Sequence, residues 1–90
     1  MPITQAHYTV GTAAVQIVAP DRMPQHVCIH NHEHSQNSNV FVGGPDVTIN
    51  NGIHAQATLT SQLTIGPGDS LYAVADVEDC ELHILVVKQD

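Results

Sequence analysis

The stretch AQATLTSQLTI, residues 55–65, puts an apolar side chain at nearly every second position. Successive side chains of an extended chain point to opposite faces. Ala57, Leu59, Leu63 and Ile65 therefore face one way, and Thr58, Thr60, Gln62 and Thr64 the other. That is a strand with one buried face and one face in water. Nowhere does an apolar period of 3.6 persist over a helix length. Short β-rich runs between turn residues recur instead, the pattern of an all-β chain.

The other runs follow the same rule. TAAVQIVAP reads as a strand ending at Pro20, and QHVCIHNH as the next, with Val27 and Ile29 on one face and His26, Cys28 and His30 on the other. A short strand is expected over Asn39–Val42, a Gly-Gly-Pro-Asp turn after it, and a second short strand over Val47–Ile49 before Asn-Asn-Gly. Gly66, Pro67 and Gly68 mark a turn. SLYAVAD is apolar on both faces and so central, VED is an acidic turn, and CELHILVVK is the last strand, with Cys80, Leu82, Ile84 and Val86 inward. About seven or eight strands in so short a chain imply a small antiparallel β-sandwich of jelly-roll type. One domain is expected over residues 1–90, with 1–11 as an N-terminal arm.

Composition narrows the function. Phe41, Tyr8 and Tyr72 are the only aromatic side chains apart from histidine, so the core must come from Val, Ile, Leu and Ala. A 90-residue chain has one small core, and self-association is a natural source of further burial. Only Arg22 and Lys88 are basic against nine acidic residues, for a net charge of −7. Nucleic-acid binders draw their affinity from Lys and Arg on phosphates, so that class is excluded, and binding to an anionic membrane fails for the same reason. MPITQAHYTV has no basic n-region and no long apolar run, so no signal peptide and no membrane span are expected. Cys28 and Cys80 form no C-x-x-C pair and read as reduced, buried thiols of a protein made in the cytoplasm. A disulfide between them stays open.

The order of the pieces resembles small structural proteins of tailed bacteriophages and prophages. The residues that carry the resemblance are Arg22, Asn31, Gly43, Gly44, Val47, Thr48, Gly52, Leu71, Tyr72 and Ala73, within a match over roughly residues 13 to 87. Such proteins are head decoration, head fibre or other accessory virion proteins. The resemblance implies a non-enzymatic subunit that binds the assembled head, with the major capsid protein or another virion protein as partner. It implies a location in the virion after synthesis in the host bacterial cytoplasm. Decoration proteins often sit on local three-fold positions, so a homotrimer is expected. A tail or fibre component is the neighbouring reading.

The segment HEHSQNSN lies outside that resemblance. His30, His32 and His34 alternate around Glu33. Residues i and i+2 of a strand share a face, so His30 and His32 could ligate one ion, with His34 joining if the strand continues. The cupin jelly roll uses a His-x-His pair with a downstream carboxylate, and a small cupin-like metal enzyme is the competing class. The carboxylate position falls on Gln36 or Asn37 here, and Glu33 has the wrong parity. Histidines from three chains could also meet on a trimer axis around one ion, as paired histidines do at phage spike tips. The expectation is nonetheless a solvated loop with no resident metal and no cofactor.

No catalytic constellation emerges. Cys28 and His30 lie side by side on one strand face, which makes no hydrogen-bonded dyad. Asp76, Glu78, Asp79 and Glu81 read as a solvated acidic tip, and GGPDVTINNG lacks the lysine and helix of a phosphate loop. Leu85 and Val87 share the outward parity of Glu81 and His83, so the last strand is apolar on both faces. A sandwich has one inner face per sheet, and Leu85, Val87 and Ala73 are the expected contacts to another subunit or to the capsid.

Overall fold

The structure, a computed structural model, describes residues 3–31, 39–55 and 60–88. Eight strands follow in chain order among them: β1 (Ile3–Val10), β2 (Val15–Val18), β3 (Gln25–Asn31), β4 (Val40–Gly43), β5 (Ile53–Ala55), β6 (Thr60–Ile65), β7 (Leu71–Ala75) and β8 (Cys80–Lys88). They form two four-stranded sheets, ordered β1-β8-β3-β6 and β2-β7-β4-β5. Every pairing is antiparallel. The described residues contain no helix. The fold is all-β, as the alternation demands, and the two sheets are named below for β8 and β7.

The inner faces of the sheets close on one aliphatic core. Val27, Ile29, Leu82 and Ile84 of the β8 sheet meet Val40, Val42, Leu71 and Ala73 of the β7 sheet, all of them buried. Strand β3 alternates without a break, with Gln25, Val27, Ile29 and Asn31 inward. Two of those inward residues are polar, and each is placed to satisfy a carbonyl. Gln25 Nε2 donates to Ala19 O at 2.9 Å, and Asn31 Nδ2 donates to Ala55 O at 2.9 Å. Ala19 follows β2 and Ala55 ends β5, so both bonds run from the β8 sheet to the β7 sheet. A buried polar side chain is costly unless it is hydrogen-bonded. Here the two bonds fasten the sheets together near the two ends of β3.

Three expectations are corrected. Where an N-terminal arm was expected over 1–11, Ile3–Val10 form a full edge strand paired with β8 from Ile3↔Val87 to Val10↔Cys80. Where a strand was expected over Val47–Ile49, the chain turns, and the second strand of the hairpin is β5. Side chains cause the turn: Asn51 Oδ1 accepts from Thr48 N at 2.7 Å, and Thr48 Oγ1 accepts from Asn50 N at 3.2 Å. Such local bonds compete with a ladder. Val47 is buried against Gly43 and Gly52, where any Cβ would come within 2.9 Å and 2.8 Å of its Cγ2. The third correction is Ala73, which is fully buried in the core and not on an outer face.

Smaller irregularities have local causes. The β2–β7 register shifts between Gln16 and Val18, which lets the adjacent Ile17 and Val18 both be buried. Gly66-Pro67-Gly68-Asp69 closes with Asp69 N donating to Gly66 O at 3.1 Å, and Gly68 takes a φ of 81° at the position where a type II turn requires it. Asp79, with a φ of 62°, plays a similar role in the turn before β8.

Candidate functional site

The outer face of the β8 sheet gathers most of the chemistry. Two registers fix it. Across β1 and β8, Ile3 faces Val87, Gln5 faces Leu85, His7 faces His83 and Thr9 faces Glu81. Across β3 and β8, His26 faces Val87, Cys28 faces Leu85 and His30 faces His83. The face therefore carries a row of three imidazoles, His7, His83 and His30, from three strands. Beside it lies an apolar patch of Ile3, Leu85 and Val87.

The histidine row is close-set. The rings of His7 and His83 are 4.9 Å apart at 61°, and those of His83 and His30 are 6.3 Å apart at 80°. Glu81 shares the face, with Oε2 3.8 Å from His7 Nε2. One ligand atom from each of His7, Glu81 and His83 lies within 4.8 Å of the other two. A depression of about 480 Å³ runs along the row and is lined by His7, His30, His83, Cys28 and Leu85 among others. His26 is engaged elsewhere on the same face, with Nδ1 3.1 Å from Thr64 Oγ1 and Nε2 3.2 Å from Gln62 Oε1. Gln62 Oε1 can only accept, so Nε2–H donates to it, and in the neutral ring Nδ1 is left to accept from the threonine hydroxyl.

Of the histidines singled out in the sequence, His30 is half-buried and directly opposite His83. His32 and His34, with Glu33, Gln36 and Asn37, lie outside the described residues. His30 faces away from the space between the sheets, which Val27 and Ile29 of the same strand fill. A cupin-like centre enclosed between the sheets therefore gains no ligand from it. His7 and His83 were not grouped with His30 by sequence. The available signal was the parity of Thr4, Ala6, Tyr8 and Val10 in β1, which sets His7 outward.

Leu85 is 38% exposed and Val87 half-buried on this outer face. Cys28 and Cys80 lie on opposite faces of the sheet, Cys28 outward and Cys80 buried in the core with its Sγ 3.7 Å from Val77 O, so they do not form the disulfide left open above. Two carboxylates of the expected acidic tip instead hold loops. Asp76 Oδ1 and Oδ2 accept from Asn39 N and Nδ2 at 3.0 Å and 2.9 Å, and Glu78 Oε1 accepts from Thr12 N at 2.9 Å. The Asn39 side chain is the main cause holding the Asp76 carboxyl below the usual carboxylate range. Asp21 is held low chiefly by Lys88, whose Nζ donates to it at 2.8 Å.

No family model and no curated protein matches the chain. A solved structure from work on Bacillus endospore appendages, described as a novel family of disulfide-linked pili, superposes with a TM-score of 0.63. The match covers 99% of this chain and 87% of that one at 7% identity. The likeness is one of fold.

Proposed function

We propose that the chain is a non-enzymatic structural subunit of a multi-chain assembly. The observation that carries this reading is the apolar patch on the outer face of the β8 sheet. Ile3 is 60% exposed and Leu85 38%, with Val87 between the strands' ends directly opposite Ile3. A small subunit with an aliphatic core gains stability by burying such a patch against another chain. The occupant proposed is a second copy of the chain, in a homotrimer.

Within this reading the first choice is an accessory protein of a phage head, bound to the major capsid protein in the virion. The phage-like pieces of sequence support it, and several of their residues have structural roles: Asn31 ties β3 to β5, and Gly43 and Gly52 make room for Val47. A jelly-roll winding also fits. Successive strands alternate between the sheets except at the β4–β5 hairpin, and all pairs are antiparallel. The second reading is a subunit of a surface appendage, favoured by the fold shared with the endospore pilus structure.

Light scattering at micromolar concentration, followed by electron microscopy with and without undecorated phage heads, tests the proposal. Trimers that bind heads support the first reading, and filaments of the chain alone support the second. A strict monomer that neither binds heads nor polymerises overturns both.

A further inference from the structure

We propose that His7, His83 and Glu81 form a site for a divalent transition metal of the zinc class, which staples the edge strand β1 to β8. The three residues converge because of register. His7 and His83 are direct cross-strand partners. Such partners carry Cβ atoms about 4.5–5.5 Å apart, near enough for two imidazoles to reach one ion. Glu81 precedes His83 by two residues and so shares its face. Zinc binds imidazole nitrogen at about 2.0–2.1 Å and carboxylate oxygen at about 2.0–2.2 Å, which puts neighbouring ligand atoms roughly 3.4 Å apart on a tetrahedral ion. The three ligand atoms now lie within 4.8 Å, and His7 Nε2 and Glu81 Oε2 are at 3.8 Å. The side chains of His7 and Glu81 are 54% and 44% exposed, so core packing does not oppose the small rotations required.

The donor set favours this class of ion. Two imidazoles and a carboxylate suit zinc and its neighbours, whereas calcium and magnesium prefer all-oxygen sites. A fourth position remains for water, and His30 is the next imidazole along the row.

The staple has a mechanical use. Among the described residues strand β1 pairs only with β8, and of its side chains only Val10 is fully buried. An edge strand with so little burial frays readily. An ion that binds His7 and His83 together binds the paired strands and not the separated ones, so it stabilises the pairing by mass action. With a net charge of −7, the chain also favours the approach of a cation.

The test uses the full chain stripped with a chelator and then titrated with zinc chloride. Calorimetry should give one ion per chain with Kd at or below about 10 µM. Saturating zinc should raise the melting temperature by several degrees. It should also slow amide exchange over residues 3–10 more than over 71–75. His7→Asn and His83→Asn should each weaken binding more than tenfold or so, as loss of a ligand requires. Glu81→Gln, which keeps the side-chain shape, should weaken it as well, and circular dichroism should show each variant folded. His54→Asn on the other sheet, and the double variant His32→Asn with His34→Asn, should bind as the wild type does. The proposal is overturned by absence of saturable binding, by binding without added protection of β1, or by binding that survives His83→Asn but not the double variant at His32 and His34.

Discussion

Strands β7 and β8 both carry apolar side chains on both faces, yet the fold treats their second faces differently. On β7, Val74 points away from the core and is still only 5% exposed. It lies opposite the half-buried Phe41, which stacks on His54 with ring centroids 5.1 Å apart. On β8, Leu85 and Val87 also point away from the core, but Leu85 remains 38% exposed and Ile3 beside Val87 is 60% exposed. A strand that is apolar on both faces is thus central in its sheet, and that alone says nothing of a partner. The β7 sheet covers its own outer residue with an aromatic side chain from β4. Among the described residues the β8 sheet has no aromatic apart from histidine on its outer face, and Leu85 and Ile3 stay exposed.

Substitutions can break this comparison at several levels. The largest effect belongs to the face the two strands share. Leu82→Ala, at a fully buried position of β8, should cost about 2–5 kcal/mol in urea unfolding. Next comes the bond between the sheets. Asn31→Ala leaves the Ala55 carbonyl without its buried donor and should cost about 1–3 kcal/mol. Third are the outer faces themselves. Val74→Ala should cost about 1–2 kcal/mol and Leu85→Ala about 0.5–1 kcal/mol, although leucine loses the larger side chain. Leu85→Asp should dissociate the oligomer while Val74→Ala leaves it intact, read by light scattering. Equal costs at the two positions, or an oligomer indifferent to Leu85→Asp, would remove the distinction.

These residues also show what the sequence makes legible. Alternation marks β3 and β8 and assigns each side chain a face, because the inner face of each carries Val, Ile or Leu. It assigns no face on β7, which is apolar on both sides, and the buried Ala73 was expected outward there. It fails at β1, whose inward set, Thr4, Ala6, Tyr8 and Val10, contains one strongly apolar aliphatic residue and whose partner lies at the far end of the chain. It misleads at Val47–Ile49, where β-branched residues read as a strand but Thr48, Asn50 and Asn51 bond locally. The histidine row was hidden for a different reason. Parity puts His7, His30 and His83 outward, but only the order β1-β8-β3 and its register make them neighbours.

The smallest effects distinguish how the two strands end. Directly after β7, Asp76 accepts two hydrogen bonds from Asn39, both from uncharged donors. At the end of β8, Lys88 forms an ion pair with Asp21, which also accepts from Met23 N at 3.0 Å. Both carboxyls are held below their ordinary value of 3.8, Asp76 chiefly by the Asn39 side chain and Asp21 chiefly by Lys88. A carboxyl whose folded pKa is depressed binds its proton less readily folded than unfolded. Its contribution to stability is therefore complete above the unfolded value and is lost as pH falls through the folded one. Asp76→Asn and Asp21→Asn should each lie slightly below the wild type at neutral pH, and both gaps should close as pH falls below 3.8. Salt should separate them. Screening weakens an ion pair at the surface, whereas hydrogen bonds from neutral donors carry no comparable charge to screen. Raising salt at neutral pH should narrow the gap for Asp21→Asn and leave that for Asp76→Asn in place, as followed by urea midpoints. If both gaps narrow together, Asp76 is responding to a charge, such as His54, more than to the neutral Asn39, and the ends of β7 and β8 are fastened by the same force.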